Sequence, residues 1–157
     1  RDFKQNMRIT KENIHEFIKG KTINCPDMGI THIEYIPGDI THLYCNNNKL
    51  TELPKLPDGL IRLDCEDNKL TELPKLPESL TNLYCRNNKL TELPKLPDGL
   101  IRLYCHNNKL TELPKLPESL EYLTCQYNNL PYEITIGNIK EHNTLLKRKQ
   151  ILKRICV

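Results

Sequence analysis

The chain has 157 residues, 38% of them hydrophobic, with two Phe, no Trp, eleven Pro and a formal net charge of +3. This is the length of one domain with too little aromatic mass for a conventional core, and no stretch approaches the roughly eighteen apolar residues of a membrane span. Residues 1–20 also lack the apolar run of a signal peptide, so the chain is expected to be soluble.

In chain order, Thr10 precedes "KENIHEFIKG", in which Ile14, Phe17 and Ile18 have helical spacing and Gly20 offers a stop. This predicts a helix over roughly residues 11–19, within an N-terminal helical cap of residues 1–20.

From there the chain repeats itself. Cys25, Cys45, Cys65, Cys85, Cys105 and Cys125 fall on one period of twenty residues, and only Cys156 stands outside it. The unit from Leu60 reads L-x-x-L-x-C-x-x-N-x-L-T-E-L-P-K-L-P-x-x; it recurs from Ile40, Leu80 and Leu100, starts again at Leu120 and is degenerate from Gly20. A strand alternates its faces, so in "LTNLYC" Leu83 and Cys85 point one way and Asn82 and Tyr84 the other. One coil cannot bury its apolar edge, but coils stacked as parallel strands about 4.8 Å apart form a continuous core.

Each periodic cysteine then occupies the last inward position of its strand, as a small side chain in a core ladder. Asn48, Asn68, Asn88, Asn108 and Asn128 form a second ladder where the chain turns, with amides able to donate to and accept from backbone left unpaired there. Pro54, Pro57 and their counterparts Pro74, Pro77, Pro94, Pro97, Pro114 and Pro117 fall on the return side, which is expected to be extended and polyproline-like because proline fixes φ and disfavours helix before it.

At the far end, Asn138 is the expected N-cap of "IKEHNTLLKRKQILKRIC", where Leu145, Leu146, Leu152 and Ile155 are expected to cover the last coil alongside Ile139. Residues 137–157 are read as a basic capping helix: residues 138–157 hold six basic groups and one acidic, against twelve and sixteen over residues 21–137.

The unit resembles the leucine-rich repeat in its short twenty-residue form with the L-P-x-L-P ending, as in secreted bacterial effectors of the YopM and IpaH type and in repeats of large DNA viruses. That resemblance covers residues 21–136. It implies an α/β solenoid with a parallel β-sheet on the concave face, an extended convex side and helical caps at both ends. It also implies a non-catalytic protein-interaction module. Effectors of this type often join their repeats to a ubiquitin-ligase domain with a catalytic cysteine. This chain has no room for that domain and "KRICV" around Cys156 does not show its context, so ligase activity is not carried over.

No nucleotide-loop, zinc-protease or serine-hydrolase motif is present, and no catalytic residue or cofactor is expected. Six thiols in a line do not give the four converging ligands of zinc, so no metal is expected either. Neighbouring rungs have parallel side-chain directions, which disulfide geometry disfavours. Free, buried thiols imply a reducing compartment: the cytoplasm, the host cytosol for an effector or viral protein, or the nucleus.

Residues 51–90 and 91–130 are two copies of a forty-residue unit that differ at nine positions, all around the strand: 64/104, 66/106, 67/107, 81/121, 82/122, 84/124, 86/126, 87/127 and 89/129. None falls in "TELPKLP", although Glu52 and Lys55 lie on the convex side where drift is tolerated. Variation confined to one face points to diversification of a binding surface. The candidate partner-binding residues are His42, Tyr44, Arg62, Asp64, Tyr84, Arg86, Arg102, Tyr104, His106 and Tyr122, with Asn82, Glu66 and Tyr127 beside them; Tyr and Arg are enriched at interface hot spots. The expected partner is a protein and the chain itself a monomer. The alternatives are a nucleic-acid-associated protein using the basic C-terminal helix, and the recruiting part of a ligase-like effector.

Overall fold

Alternation along each short strand sets the architecture. In the computed structural model, which describes residues 6–156, the strands β5 (His42–Tyr44), β6 (Arg62–Asp64), β7 (Asn82–Tyr84) and β8 (Arg102–Tyr104) each bury their central Leu, with polar and aromatic neighbours turned outwards, and β9 (Tyr122–Thr124) leaves its central Leu123 half-buried. They pair in parallel, residue i with residue i+20, as in His42 with Arg62 and Tyr84 with Tyr104. With β2 (Ile18–Lys19) and β3 (Thr22–Asn24) they form one seven-stranded sheet in the order β2-β3-β5-β6-β7-β8-β9. The chain returns between strands through segments such as Leu53–Pro57 that are neither helical nor paired, as their prolines require. The result is a solenoid with its sheet on the concave face.

Each coil sends the same side chains inward. In one of them Leu60, Leu63, Cys65, Leu70, Leu73 and Leu76 are all buried, and burying a leucine contributes about 1.5–3 kcal/mol. The degenerate first coil uses Ile30, Ile33, Ile36 and Ile40 where later coils have leucine. The substitution has a reason: Ile30–Ile33 is a strand, β4, paired in parallel with β1 (Met7–Ile9), and β-branched side chains suit a paired strand.

Asparagine ties one coil to the next. Asn88 Nδ2 donates to Cys85 O of its own coil and to Cys65 O of the coil before, while its Oδ1 accepts from Leu70 N–H. Asn48, Asn68, Asn108 and Asn128 repeat this arrangement. The residue before each of them is left-handed: Asn47, Asp67, Asn87, Asn107 and Tyr127 have φ between 53° and 55°, and Asp27 has φ 57° in the first coil. Asn and Asp accept that conformation readily, whereas a bulky side chain resists it.

The N-terminal cap differs from the expected helix over 11–19. Ile14–Phe17 forms one 3-10 turn, and Ile18–Lys19 enters the sheet antiparallel to Thr22–Asn24 through a two-residue loop opened by left-handed Gly20. Gly20 is thus a hairpin residue rather than a helix stop. The side chain of Asn13 accepts from Thr10 N–H and donates to Arg8 O, engaging backbone groups that a helix would need, and a helix of this length gains too little to nucleate. Residues 1–5 of the expected cap, and Val157 of the expected C-terminal helix, lie outside the described residues.

The C-terminal helix α1 spans Ile139–Ile155, and it docks by a face that only partly overlaps the expected one. Of the predicted set Ile139 is buried and Leu146 half-buried, whereas Leu145, Leu152 and Ile155 are exposed. The docked stripe is Ile139, His142, Asn143 and Leu146. Asn143 bonds both the N–H and the C=O of Leu116 at 2.8 Å, and His142, 2% exposed, donates from Nε2 to Pro114 O at 3.0 Å. A leucine face would have left those backbone groups of the last coil without partners, at about 1–3 kcal/mol each.

Replacing Asn88 by Ala should lower the unfolding free energy in urea by on the order of 3 kcal/mol or more, because three backbone groups lose a partner in the core. Asn128→Ala should cost less, since that residue is half-exposed and water can substitute. Conversely, Tyr127→Asn should raise stability by about 1 kcal/mol by removing the left-handed penalty, read from the same denaturation curves.

Candidate functional site

The outward rows of the sheet stack side chains one strand spacing apart. The first row is His42, Arg62, Asn82, Arg102 and Tyr122; the second is Tyr44, Asp64, Tyr84, Tyr104 and Thr124. Just beyond the strands comes a third row, with Glu66, Arg86 and His106.

Tyrosine and arginine interleave across these rows. The Arg62 guanidinium lies 4.4 Å from the Tyr84 ring centroid and 5.1 Å from that of Tyr44, so one cation is held between two rings. Arg102 lies 4.6 Å from the Tyr122 centroid, and Tyr84 meets Tyr104 edge to face at 4.9 Å. Such cation–ring contacts contribute about 0.5–1 kcal/mol where exposed and more where desolvated. They hold long side chains in fixed positions on the free surface.

Ion pairs complete the surface. Arg62 reaches Asp64 at 3.9 Å, and Arg86 lies 2.8 Å from Glu66 Oε2 and 4.0 Å from Asp67. The Nε of Arg86 is off the hydrogen-bond axis to Glu66, and the buried Nε of Arg62 has no acceptor, so packing and charge rather than saturated hydrogen bonding shape this region. Burial raises the carboxyl pKa of Asp64, and burial followed by the neighbouring Asp64 raises that of Glu66, in both cases against the opposing pull of arginine. Burial and then the charge of Arg86 lower the pKa of His106, whose Nδ1 contacts Thr124 Oγ1 at 2.8 Å.

Arg62, Asp64, Glu66, Tyr84, Arg86, Tyr104, His106 and Thr124 enclose a shallow depression of about 460 Å³. Of the sequence candidates, Tyr44 joins it through Arg62, whereas His42, Arg102 and Tyr122 lie along the first row outside it. Tyr127 is 79% exposed on the last coil and does not line it. Thr124, Asp67 and Asn87 were not among the candidates. Thr124 shares the second row with Tyr104, a signal available from strand register, and the Asn87–Asp67 contact at 2.6 Å joins adjacent left-handed positions.

The cysteine ladder lies on the opposite side of the same strands. Its six thiols are free and buried, and Cys156 is free and exposed. Burial pushes the Cys25 pKa up to about 12 and those of Cys45, Cys65, Cys85 and Cys105 well above the ordinary thiol value. A thiol held protonated is a poor nucleophile and a poor metal ligand. Among the described residues no group of three or more His, Cys, Asp or Glu is placed to hold a metal ion. No helix among them is long and apolar enough to cross a membrane.

No protein-family model and no curated protein matches the chain. Solved structures do. YopM from Yersinia enterocolitica is 40% identical with a TM-score of 0.65, covering 68% of this chain and 24% of that one. A Shigella effector leucine-rich-repeat domain is 33% identical with a TM-score of 0.72, covering 81% and 57%. YopM from Yersinia pestis, a leucine-rich effector protein, is 35% identical with a TM-score of 0.68, covering 70% and 32%. The chain thus spans between 24% and 57% of the length of these solved chains.

The raised thiol pKa values have a consequence at alkaline pH. A thiol held protonated by the fold contributes stability that is fully present below the unfolded pKa of about 8.5 and is lost as pH rises towards the folded value. Each buried cysteine should therefore cost about 1.4 kcal/mol per pH unit above that point. Thermal melts between neutral and alkaline pH should show a steep fall, shallower in a Cys65→Ala, Cys85→Ala variant, and native thiol labelling should modify Cys156 first.

Proposed function

We propose, from the premise that this chain is a leucine-rich-repeat solenoid similar to those of bacterial effectors, that it is a non-catalytic module binding a partner protein on its concave face. The observation that carries this reading is the preformed Tyr84, Tyr104 and Arg62 cluster on the rows where the two internal copies differ. A rigid surface loses little freedom on binding, and clustered Tyr and Arg are the residue types that dominate interface energetics.

The partner's chemistry follows from the rows. Tyrosine faces offer apolar contact, and Asp64 and Glu66, whose charge is penalised by burial, would be relieved by a Lys or Arg of the partner. The module acts as a monomer in a reducing compartment, the host cytosol if it is deployed as an effector or viral protein; its six reduced, buried thiols support this reading.

A partner isolated from host lysate and then purified should bind the Tyr84→Ala, Tyr104→Ala variant at least tenfold more weakly in calorimetric titration, with the melt of the free variant retained. The exposed convex pair Lys55→Ala, Lys95→Ala should bind like the original chain. A larger loss in the convex variant would reverse the assignment of the binding face.

A further inference from the structure

The C-terminal helix carries two apolar faces, and the fold uses one. Ile139, His142, Asn143 and Leu146 dock its first two turns on the last coil, whereas every residue from Lys147 to Cys156 is exposed. Among those left outside, Ile151 is 45% exposed, Leu152 60% and Ile155 73%, with Leu145 at 46% one turn earlier. At 3.6 residues per turn these four fall within about 120° of one another; Ile151 and Ile155 face away from the docked stripe, while Leu145 and Leu152 border the groove that His142 and Leu146 share with Leu113 and Ile134 of the last coil.

Basic groups flank that sector. Lys147 and Arg154 lie along one border and Lys149 along the other, with Arg148 between, long enough to carry its charge out past the apolar surface. The only acid on the helix is Glu141, in the docked first turn. Lys149 also meets Glu112 of the last coil at 3.5 Å, where it braces the helix.

From this juxtaposition we infer that the outer half of α1 lies on anionic lipid surfaces, its Leu152 and Ile155 side in the acyl boundary and its lysines and arginines among the headgroups. An apolar strip bordered on both sides by cations, on a helix too polar to span, is the pattern of an interfacial helix. Charge complementarity selects this occupant. A nucleic acid would use the cations and leave the apolar strip in water. A second copy would present the same strip, but pairing the two would bring the lysines and arginines of two helices together, and like charges facing one another oppose that contact.

The chain contains no Trp, so Leu152→Trp installs a unique reporter at a position that is mostly exposed. With vesicles of mixed phosphatidylserine and phosphatidylcholine its emission should shift to the blue, and with phosphatidylcholine alone it should not. In that background Ile151→Gln with Ile155→Gln should abolish the shift and weaken co-sedimentation at least tenfold. Lys147→Gln with Arg154→Gln should weaken it about fivefold per charge removed. Because all four side chains are exposed, an unchanged melt is expected and verifies the fold. Equal binding to both vesicle types, or binding to the anionic vesicles that the isoleucine substitutions leave unchanged, would overturn the inference. So would binding of a DNA duplex, or a concentration-dependent dimer lost on isoleucine substitution, if vesicles remain unbound.

Discussion

A single side-chain amide per coil holds this solenoid in register. Asn68, for example, donates to Cys65 O and to Cys45 O and accepts from Leu50 N–H, joining three backbone groups that lie on two coils. No other neutral side chain of that size donates twice and accepts twice, so the turn after each strand depends on it. Register follows, since a coil displaced along the axis would leave the amide and its partners unpaired in a low-dielectric core. The parallel pairing of i with i+20 and the superposition of cysteine on cysteine rest on the same constraint.

That regularity creates the problem of the two ends, and the chain solves it in two ways. At the start, strands cover the first full coil on both sides: β2 and β3 at the concave sheet and β1 beside β4 on the return side. At the finish, Ile134 and Ile139 bury themselves beneath the last coil, Cys125 Sγ donates to Ile134 O, and α1 ties down the return side through Asn143 and His142. Strand β9 keeps an open edge, and its Tyr122 is exposed. The ends therefore differ in kind, one closed by paired strands and the other by a basic helix.

The two faces of each strand meet different physical demands. Inward positions demand volume and tolerate no charge, so Leu and Cys recur there, with thiols kept protonated by burial. Outward positions meet only strand neighbours, and Arg62 between Tyr44 and Tyr84 shows how such neighbours can rigidify one another without a core. Variation there costs little stability and changes the surface offered. This separation lets a repeat array diversify one face while its fold is preserved.

The sequence by itself determined the period, the strand faces and the class of fold, because each depends on local rules that repeat: alternation along "LTNLYC", proline on the return side, and one asparagine per coil. It also carried the membership of the outward rows, Tyr84 and Arg86 among them, though not which of those side chains converge. The depression around Arg62, Glu66 and His106 arises from rotamers selected across four neighbouring coils, and alternation gives no access to those. Only tertiary structure decided the caps. Residues 11–19 have a helical pattern, yet pairing with Thr22–Asn24 offers Ile18 and Lys19 a ladder that an isolated short helix cannot match. In α1 the apolar residues Leu152 and Ile155 stand outside while His142 and Asn143 face inward, because what the last coil presents there is unpaired backbone, and only polar side chains can satisfy it.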